Sequence, residues 1–294
     1  MVKKSCTKCH GEGIIFSIKE DHLFAEICPK CSKECDICGG KGYIIKEDKD
    51  GYSFSEPCEC RKILKKVSLF NKADIPARFI SASLESFKVL HLSHEEAKIK
   101  AKRFIKKFPM HKQGLIFMGP VGTGKTHLAV AIIKELILKK GVNCKFVDFF
   151  NLLSTIREGY NTGKSEMSII EPYLSSDVLV IDEMGKGRNT AWELSMLDQM
   201  ITYRYNSSPH KALIITTNYT NDEDSTLKEP ILALRPNEKI IATHSEPYEQ
   251  YFIYETLKDR IGERIYSRIS EMCEMITLEG EDYRIKKGSK ISDN

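Results

Sequence analysis

The sequence predicts an α/β protein, a parallel sheet covered by helices with a small cysteine-rich module ahead of it, and three observations carry that prediction. Apolar runs ending in polar or acidic residues alternate with helix-like runs between Leu115 and Asn218, the pattern of buried parallel strands joined by crossover helices. One glycine-rich segment, Gly119-Pro120-Val121-Gly122-Thr123-Gly124-Lys125-Thr126, follows the first apolar run and precedes the first helix-like one. Eight of the ten cysteines fall in the first sixty residues as close pairs.

The elements follow in chain order. Leu115 to Met118 reads as a strand and Leu128 to Lys134 as a helix. The segment between them fits G-x-x-x-x-G-K-[ST] in the strand-loop-helix setting that makes it a phosphate-binding loop. Its glycines let backbone N–H groups and the positive end of the helix point at an anion. Lys125 is expected to pair with the β- and γ-phosphates of ATP, and Thr126 to hold magnesium. Cys144 to Asp148 is the next strand, with a helix through Leu153 and Arg157. Asp177 to Asp182 is a continuous apolar run closed by Asp182 and Glu183, as expected of a strand whose carboxyl end faces a nucleotide. Asp182 would orient magnesium and Glu183 polarise an attacking water, which favours ATP hydrolysis over transfer to a bound acceptor. Ala212 to Thr217 is a fourth strand; Asn218 at its end can bond the lytic water or the γ-phosphate through a short amide. Finally Arg260, Arg264 and Arg268 recur every fourth residue on a helix expected over Thr256 to Met272. Three cations stacked on one face repel unless an anion faces them, and the ATP of a neighbouring subunit meets that need. Self-association through the ATP sites is therefore expected.

The cysteines read Cys6-x-x-Cys9, Cys28-x-x-Cys31, Cys35-x-x-Cys38 and Cys58-x-Cys60. In a reducing cytoplasm such pairs favour zinc over disulfides. The unit Cys6-x-x-Cys9-x-Gly11-x-Gly13 recurs 29 positions later as Cys35-x-x-Cys38-x-Gly40-x-Gly42. Sharing ions across Cys31 and Cys35 would leave only Ser32-Lys33-Glu34 between knuckles, too short for a hairpin. Two sequential four-thiolate sites are expected, Cys6, Cys9, Cys28 and Cys31, then Cys35, Cys38, Cys58 and Cys60. Cys144 and Cys273 stand alone as buried apolar fillers.

With 294 residues and a net charge of +4, the chain has room for one α/β core plus a small module. No run of about 18 apolar residues is present and the start lacks the apolar core of a signal peptide, so no membrane contact and a cytoplasmic location are expected. Basic clusters at Arg61-Lys62, Lys65-Lys66 and between Lys98 and Lys107 read as solvated helix faces that could touch nucleic acid locally.

The C-x-x-C-x-G-x-G unit resembles the zinc repeats of DnaJ chaperones, but the His-Pro-Asp of a J-domain is missing. The phosphate loop, Asp182-Glu183, Thr217-Asn218, and above all Arg260-Ile-Gly-Glu-Arg264-Ile-Tyr-Ser-Arg268-Ile-Ser-Glu-Met-Cys273 followed by Leu278-Glu-Gly-Glu-Asp-Tyr-Arg284, resemble the AAA+ ATPases of bacterial replicative helicase loaders of the DnaC and DnaI type. Transposon-encoded IstB helper ATPases share the pattern. The resemblance implies a P-loop AAA+ parallel-sheet domain over residues 81–294, a zinc module over 1–60, and a basic linker over 61–80. It implies Asn218 as sensor, Arg268 as an arginine finger acting in trans, and Arg264 as its support. Binding of a replicative DNA helicase and single-stranded DNA is expected of a loader, duplex DNA and a transposase of a transposition helper. A nucleotide-gated zinc adaptor is a third reading, which Glu183 disfavours. The segment 221–255 is longer than such a connection needs, and the residues after Gly280 are too few for a full helical lid, so Arg284 is left without a role.

Overall fold

The computed structural model describes residues 6–30, 35, 37–111, 113–207, 211–221 and 255–284. At its centre lie five parallel strands, β5 (Gly114–Met118), β6 (Cys144–Asp148), β7 (Val178–Asp182), β8 (Ala212–Thr216) and β9 (Cys273–Thr277), ordered β6-β7-β8-β5-β9. The first four are almost wholly buried because helices cover both faces. On one face, α2 (Leu92–Lys107) and α3 (Lys125–Glu135) pack on Leu115, Phe117, Val178, Val180 and Ile214. On the other, α4 (Phe149–Asn161), α5 (Glu166–Ser175), α6 (Ala191–Asn206), α7 (Leu257–Ile261) and α8 (Glu263–Met272) pack on Ile116, Met118, Leu179, Ile181 and Ile215. Successive strand residues thus serve opposite cores, which is the period-2 geometry of a strand.

Three expectations change. The helix expected over Thr256 to Met272 is two helices, broken at Gly262, whose φ of +81° and ψ of 153° lie outside helical space. Arg260 is therefore parted from the helix that carries Arg264 and Arg268. A fifth strand, β9, pairs with β5 in the register Met118↔Thr277. The expected linker over 61–80 instead holds most of helix α1 (Glu59–Asn71). Ile63, Val67 and Phe70 recur at helical spacing and turn inward, and Phe70 is fully buried in the same core as α3. No helical lid follows β9 among the described residues.

The cysteine-rich region forms two antiparallel hairpins, β1 (Ile14–Lys19) with β2 (His22–Ile27) and β3 (Tyr43–Glu47) with β4 (Ser53–Pro57). The first is joined to the ATPase-like core. Ile14, Leu23 and Ala25 belong to the α3-side core, and the Phe16 ring lies 4.9 Å from that of Phe70. The Asn71 side chain takes the Ala25 N–H at 2.7 Å and gives a bond to the Ala25 carbonyl at 3.0 Å, while Leu23 N–H bonds the Ile75 carbonyl at 2.8 Å. The second hairpin gives no residue of 37–57 to either core cluster. Tyr43, Ile45, Tyr52 and Phe54 are 45%, 67%, 73% and 44% exposed.

Candidate nucleotide and metal sites

Where β5 ends, Gly119 to Gly124 turn into α3, and Lys125 opens that helix only 6% exposed. Its ammonium donates to the Gly119 and Pro120 carbonyls at 2.7 and 2.5 Å. Burial lowers the Lys125 pKa to about 8, since removing a cation from water disfavours its charged form. The Thr126 hydroxyl donates to Asp182 Oδ1 at 2.8 Å.

Asp182 is fully buried at the end of β7. Burial raises its pKa, opposed by the hydroxyls of Thr216 and Thr126. Thr216 donates to Asp182 Oδ1 at 2.6 Å and its oxygen accepts the Glu183 N–H at 3.0 Å. Asp182 Oδ2 has no hydrogen-bond partner among the described residues, with the Arg78 guanidinium standing off at 3.9 Å. A buried, unpartnered carboxylate oxygen beside a threonine hydroxyl is a donor set that fits magnesium. Glu183 sits at φ +54°, a left-handed conformation that Thr216 holds through that N–H, and its carboxylate meets the Lys186 ammonium. A cavity of about 370 Å³ joins the phosphate loop, Glu183, Asn218, Arg78, Phe87 and Arg284. The loop residues, Glu183 and Asn218 are thus brought together. Arg78, Thr216 and Arg284 are additions that sequence reasoning passed over. Arginine and threonine at strand and turn ends are ordinary, and only the fold aims them inward.

Arg264 and Arg268 lie away from this cavity, on α8. Both grip Asp198 of α6, Arg268 at 2.9 Å with a further bond to Thr202 at 2.7 Å, and Arg264 as a fork onto both carboxylate oxygens. Arg264 is 71% exposed at its side chain and Arg268 25%. Arg260 instead donates to the Gly185 and Gly187 carbonyls and pairs with Glu255.

The cysteines gather at the bases of the hairpins. Sulfurs of Cys35, Cys38, Cys58 and Cys60 lie within 4.8 Å of one another, as do those of Cys6, Cys9 and Cys28; Cys31 is outside the described residues. This is the sequential grouping. The Cys6–Cys28, Cys35–Cys58 and Cys38–Cys60 sulfurs are 3.8, 3.6 and 3.5 Å apart. Four thiolates at the usual zinc–sulfur length stand about 3.8 Å apart along a tetrahedron's edges, so the donors fit zinc. Both copies repeat the same knuckle bonds, Gly13 N–H to Cys9 Sγ at 3.3 Å and Gly42 N–H to Cys38 Sγ at 3.2 Å. In the second cluster the backbone N–H groups of Cys38 and Ile37 hold Cys35 down to about 6, while burial and its neighbouring thiols push Cys60 up to about 12. Thiols crowded this way ionise together only around a cation. Cys144 and Cys273 are buried in the cores and far from ionising, their thiols raised by burial.

A family model described as IstB-like ATP binding protein matches residues 60–235, more than half of the chain. The chain belongs to the IstB-like ATP-binding family. Within it, the Replicative helicase loader DnaC of Escherichia coli K12 is 28% identical over 158 residues, covering 53% of this chain and 64% of that protein. An uncharacterized protein of Bacillus subtilis 168, YqaM, is 26% identical over 190 residues, 61% of this chain and 59% of that one. A crystal structure of the DnaC helicase loader superposes with a TM-score of 0.54 at 29% identity, over 69% of this chain and 99% of that one. AMPPCP-bound DnaA from Aquifex aeolicus superposes at 0.50 with 17% identity, over 73% and 56% of the two chains, which speaks for the fold. The sheet, the phosphate loop and these likenesses make the domain an AAA+ ATP-binding domain. Among the described residues no helix is long and apolar enough to cross a membrane.

Proposed function

We propose that this IstB-like protein is a cytoplasmic, ATP-hydrolysing helicase loader that binds a replicative DNA helicase and single-stranded DNA during replication initiation. The observation that carries the hydrolytic part is the convergence of Lys125, Thr126, Asp182, Glu183 and Asn218 on one cavity. Lys125 neutralises the β- and γ-phosphates, Glu183 takes a proton from the attacking water, and Asn218 holds that water or the γ-phosphate in line. Magnesium, held by Thr126 and Asp182, supplies charge neutralisation at the phosphate oxygens. The likeness to DnaC supports the loader role and the helicase partner.

Zinc at the two cysteine clusters folds the hairpins. The part of residues 1–60 that acts as a docking module is the second hairpin, because its apolar side chains are spent on no internal contact. Self-association would bring Arg268, supported by Arg264, to the ATP of a neighbour. Two guanidiniums on one Asp198 suit that step, since one can depart and leave the carboxylate paired.

The test is turnover with the helicase and single-stranded DNA present. Glu183→Gln should keep ATP binding and lose hydrolysis by about 100-fold or more. Turnover should rise more than linearly with protein concentration, and mixing Arg268→Ala with Lys125→Ala should restore part of it. Parental turnover by Glu183→Gln would remove the base from Glu183. The family match to IstB-like proteins keeps a transposition helper as the second reading, which equal or better binding of duplex DNA would favour.

A further inference from the structure

We propose that Arg284 is a phosphate-contacting arginine of the same nucleotide site, carried on a strap formed by residues 278–284, with Asp282 as its positioning residue. The inference rests on the ATP-binding reading above and adds a residue to it. Its basis is the register of the edge strand. Because β9 runs parallel to β5 with Thr277 beside Met118, the chain leaving β9 emerges next to the chain leaving β5, which is the phosphate loop. The two then stay in contact. Leu278 N–H donates to the Met118 carbonyl at 2.8 Å and Tyr283 N–H to the Gly122 carbonyl at 3.2 Å.

The fit is close enough to decide residue types. A Cβ on Gly119 would stand 2.0 Å from the Leu278 carbonyl oxygen, and one on Gly122 would stand 2.0 Å from an Asp282 carboxylate oxygen. Those two glycines, at φ +125° and +77°, therefore admit the strap as well as the phosphates. The strap is tied outside the loop too, by Glu279 N–H to the Ser93 hydroxyl at 2.9 Å and by Lys88 over the Tyr283 ring at 5.5 Å.

Its end places an acid beside an anion site. Asp282 is 16% exposed at its side chain, and its carboxylate is held below the usual range chiefly by the Arg284 hydrogen bond. An unpaired carboxylate there would repel a triphosphate in the loop. The Arg284 guanidinium donates to Asp282 at 3.1 and 3.2 Å from Nε and Nη2, and the Arg284 N–H adds a third bond at 2.8 Å. Its side chain is 67% exposed, and it lines the cavity that holds Lys125 and Glu183. A guanidinium has five donors in a fixed fork. Two suffice for Asp282 and the others remain for phosphate oxygens, so one side chain cancels the unfavourable charge and contacts the ligand.

Titration of the full-length chain with ATP, followed by calorimetry, separates these roles when Arg284→Ala, Arg284→Lys, Asp282→Asn and the double variant Asp282→Asn/Arg284→Ala are compared. Arg284→Ala should weaken ATP about tenfold or more without changing the melting temperature, and Arg284→Lys should recover part of the loss. Asp282→Asn should bind ATP at least as tightly as the parent. The double variant should lie between Arg284→Ala and the parent. Parental affinity in Arg284→Ala, with binding lost in Lys125→Ala, would overturn the proposal. Full recovery in the double variant would also overturn it, because Arg284 would then only cancel Asp282. Failure of the parent chain itself to bind ATP would instead overturn the nucleotide reading on which the proposal stands.

Discussion

The two cysteine hairpins share a knuckle, a length and a pattern of N–H to sulfur bonds, yet they meet different surroundings. In the first, Ile14, Leu23 and Ala25 are sealed against Phe70, Ala73 and Ile75, so the hairpin is part of the wall of the AAA+ core. In the second, Tyr43 and Ile45 lie on one face, Phe54 on the other, and all three are open to solvent. A repeated metal scaffold fixes the backbone and leaves the apolar side chains to decide the role. One copy has become structure and the other is available for contact.

That contrast is most easily broken by deleting an aromatic ring from each side of it. Phe70→Ala should cost about 3–5 kcal/mol of stability, the range for a buried phenylalanine. Phe54→Ala should stay within about 0.5 kcal/mol, as exposed substitutions do. Denaturant unfolding of the two variants checks this, and equal losses would mean that the second hairpin also belongs to the folding core.

Removing a ligand from each cluster asks the same of the metal. Cys28→Ser and Cys58→Ser should each release one zinc of two per chain. Cys28→Ser should lower the melting temperature of the ATPase core by about 4 °C or more, the scale for a loss of 1–2 kcal/mol in a domain this size. Cys58→Ser should leave the core transition in place and fray only the first turn of α1, which Cys58 precedes and Cys60 joins. A shared drop would erase the distinction.

The Asn71 side chain is a finer probe, because it replaces a missing strand partner for Ala25. Asn71→Ala should cost about 1–3 kcal/mol, the penalty for leaving buried backbone groups unpaired, and should speed hydrogen exchange in β2 while leaving β3 and β4 unchanged.

How far this was legible in the sequence follows from the kind of signal each element gives. Strands β5 to β8 are continuous apolar runs, and the phosphate loop and Asp182-Glu183 are contiguous, so spacing alone located them. Helix α1 was hidden by its own lysines and by Pro76, although Ile63, Val67 and Phe70 carried the helical period. Strand β9 escaped because Cys273-Glu-Met-Ile-Thr277 follows α8 with no turn residue and alternates in burial. The break at Gly262 is invisible to the four-residue spacing of the arginines. Thr216 and Asp198 could not be found at all, since each gains meaning from a partner more than thirty residues away.

Acidity separates the halves by a smaller effect. Lys125 loses its charge as pH rises through about 8, and phosphate binding favours the charged form, so proton uptake accompanies ATP binding above that value. ATP affinity should be level below pH 8 and fall by up to about tenfold per unit above it. The second hairpin contributes no group to that site, so capture of a partner measured without nucleotide should not follow the same curve. A flat ATP affinity between pH 7 and 9.5 would contradict the assignment.

The division of labour between the hairpins is tested most directly by capture of the hexameric replicative helicase on the full-length chain. The comparison is between the parent, the variant Tyr43→Ser/Ile45→Ser/Tyr52→Ser on the second hairpin, and Ile18→Ser on the outer side of the first, where Ile18 is 57% exposed. The account predicts that the triple variant loses capture by about tenfold or more with ATP affinity and melting temperature unchanged, while Ile18→Ser captures like the parent. Undiminished capture by the triple variant, or loss in Ile18→Ser alone, would contradict it.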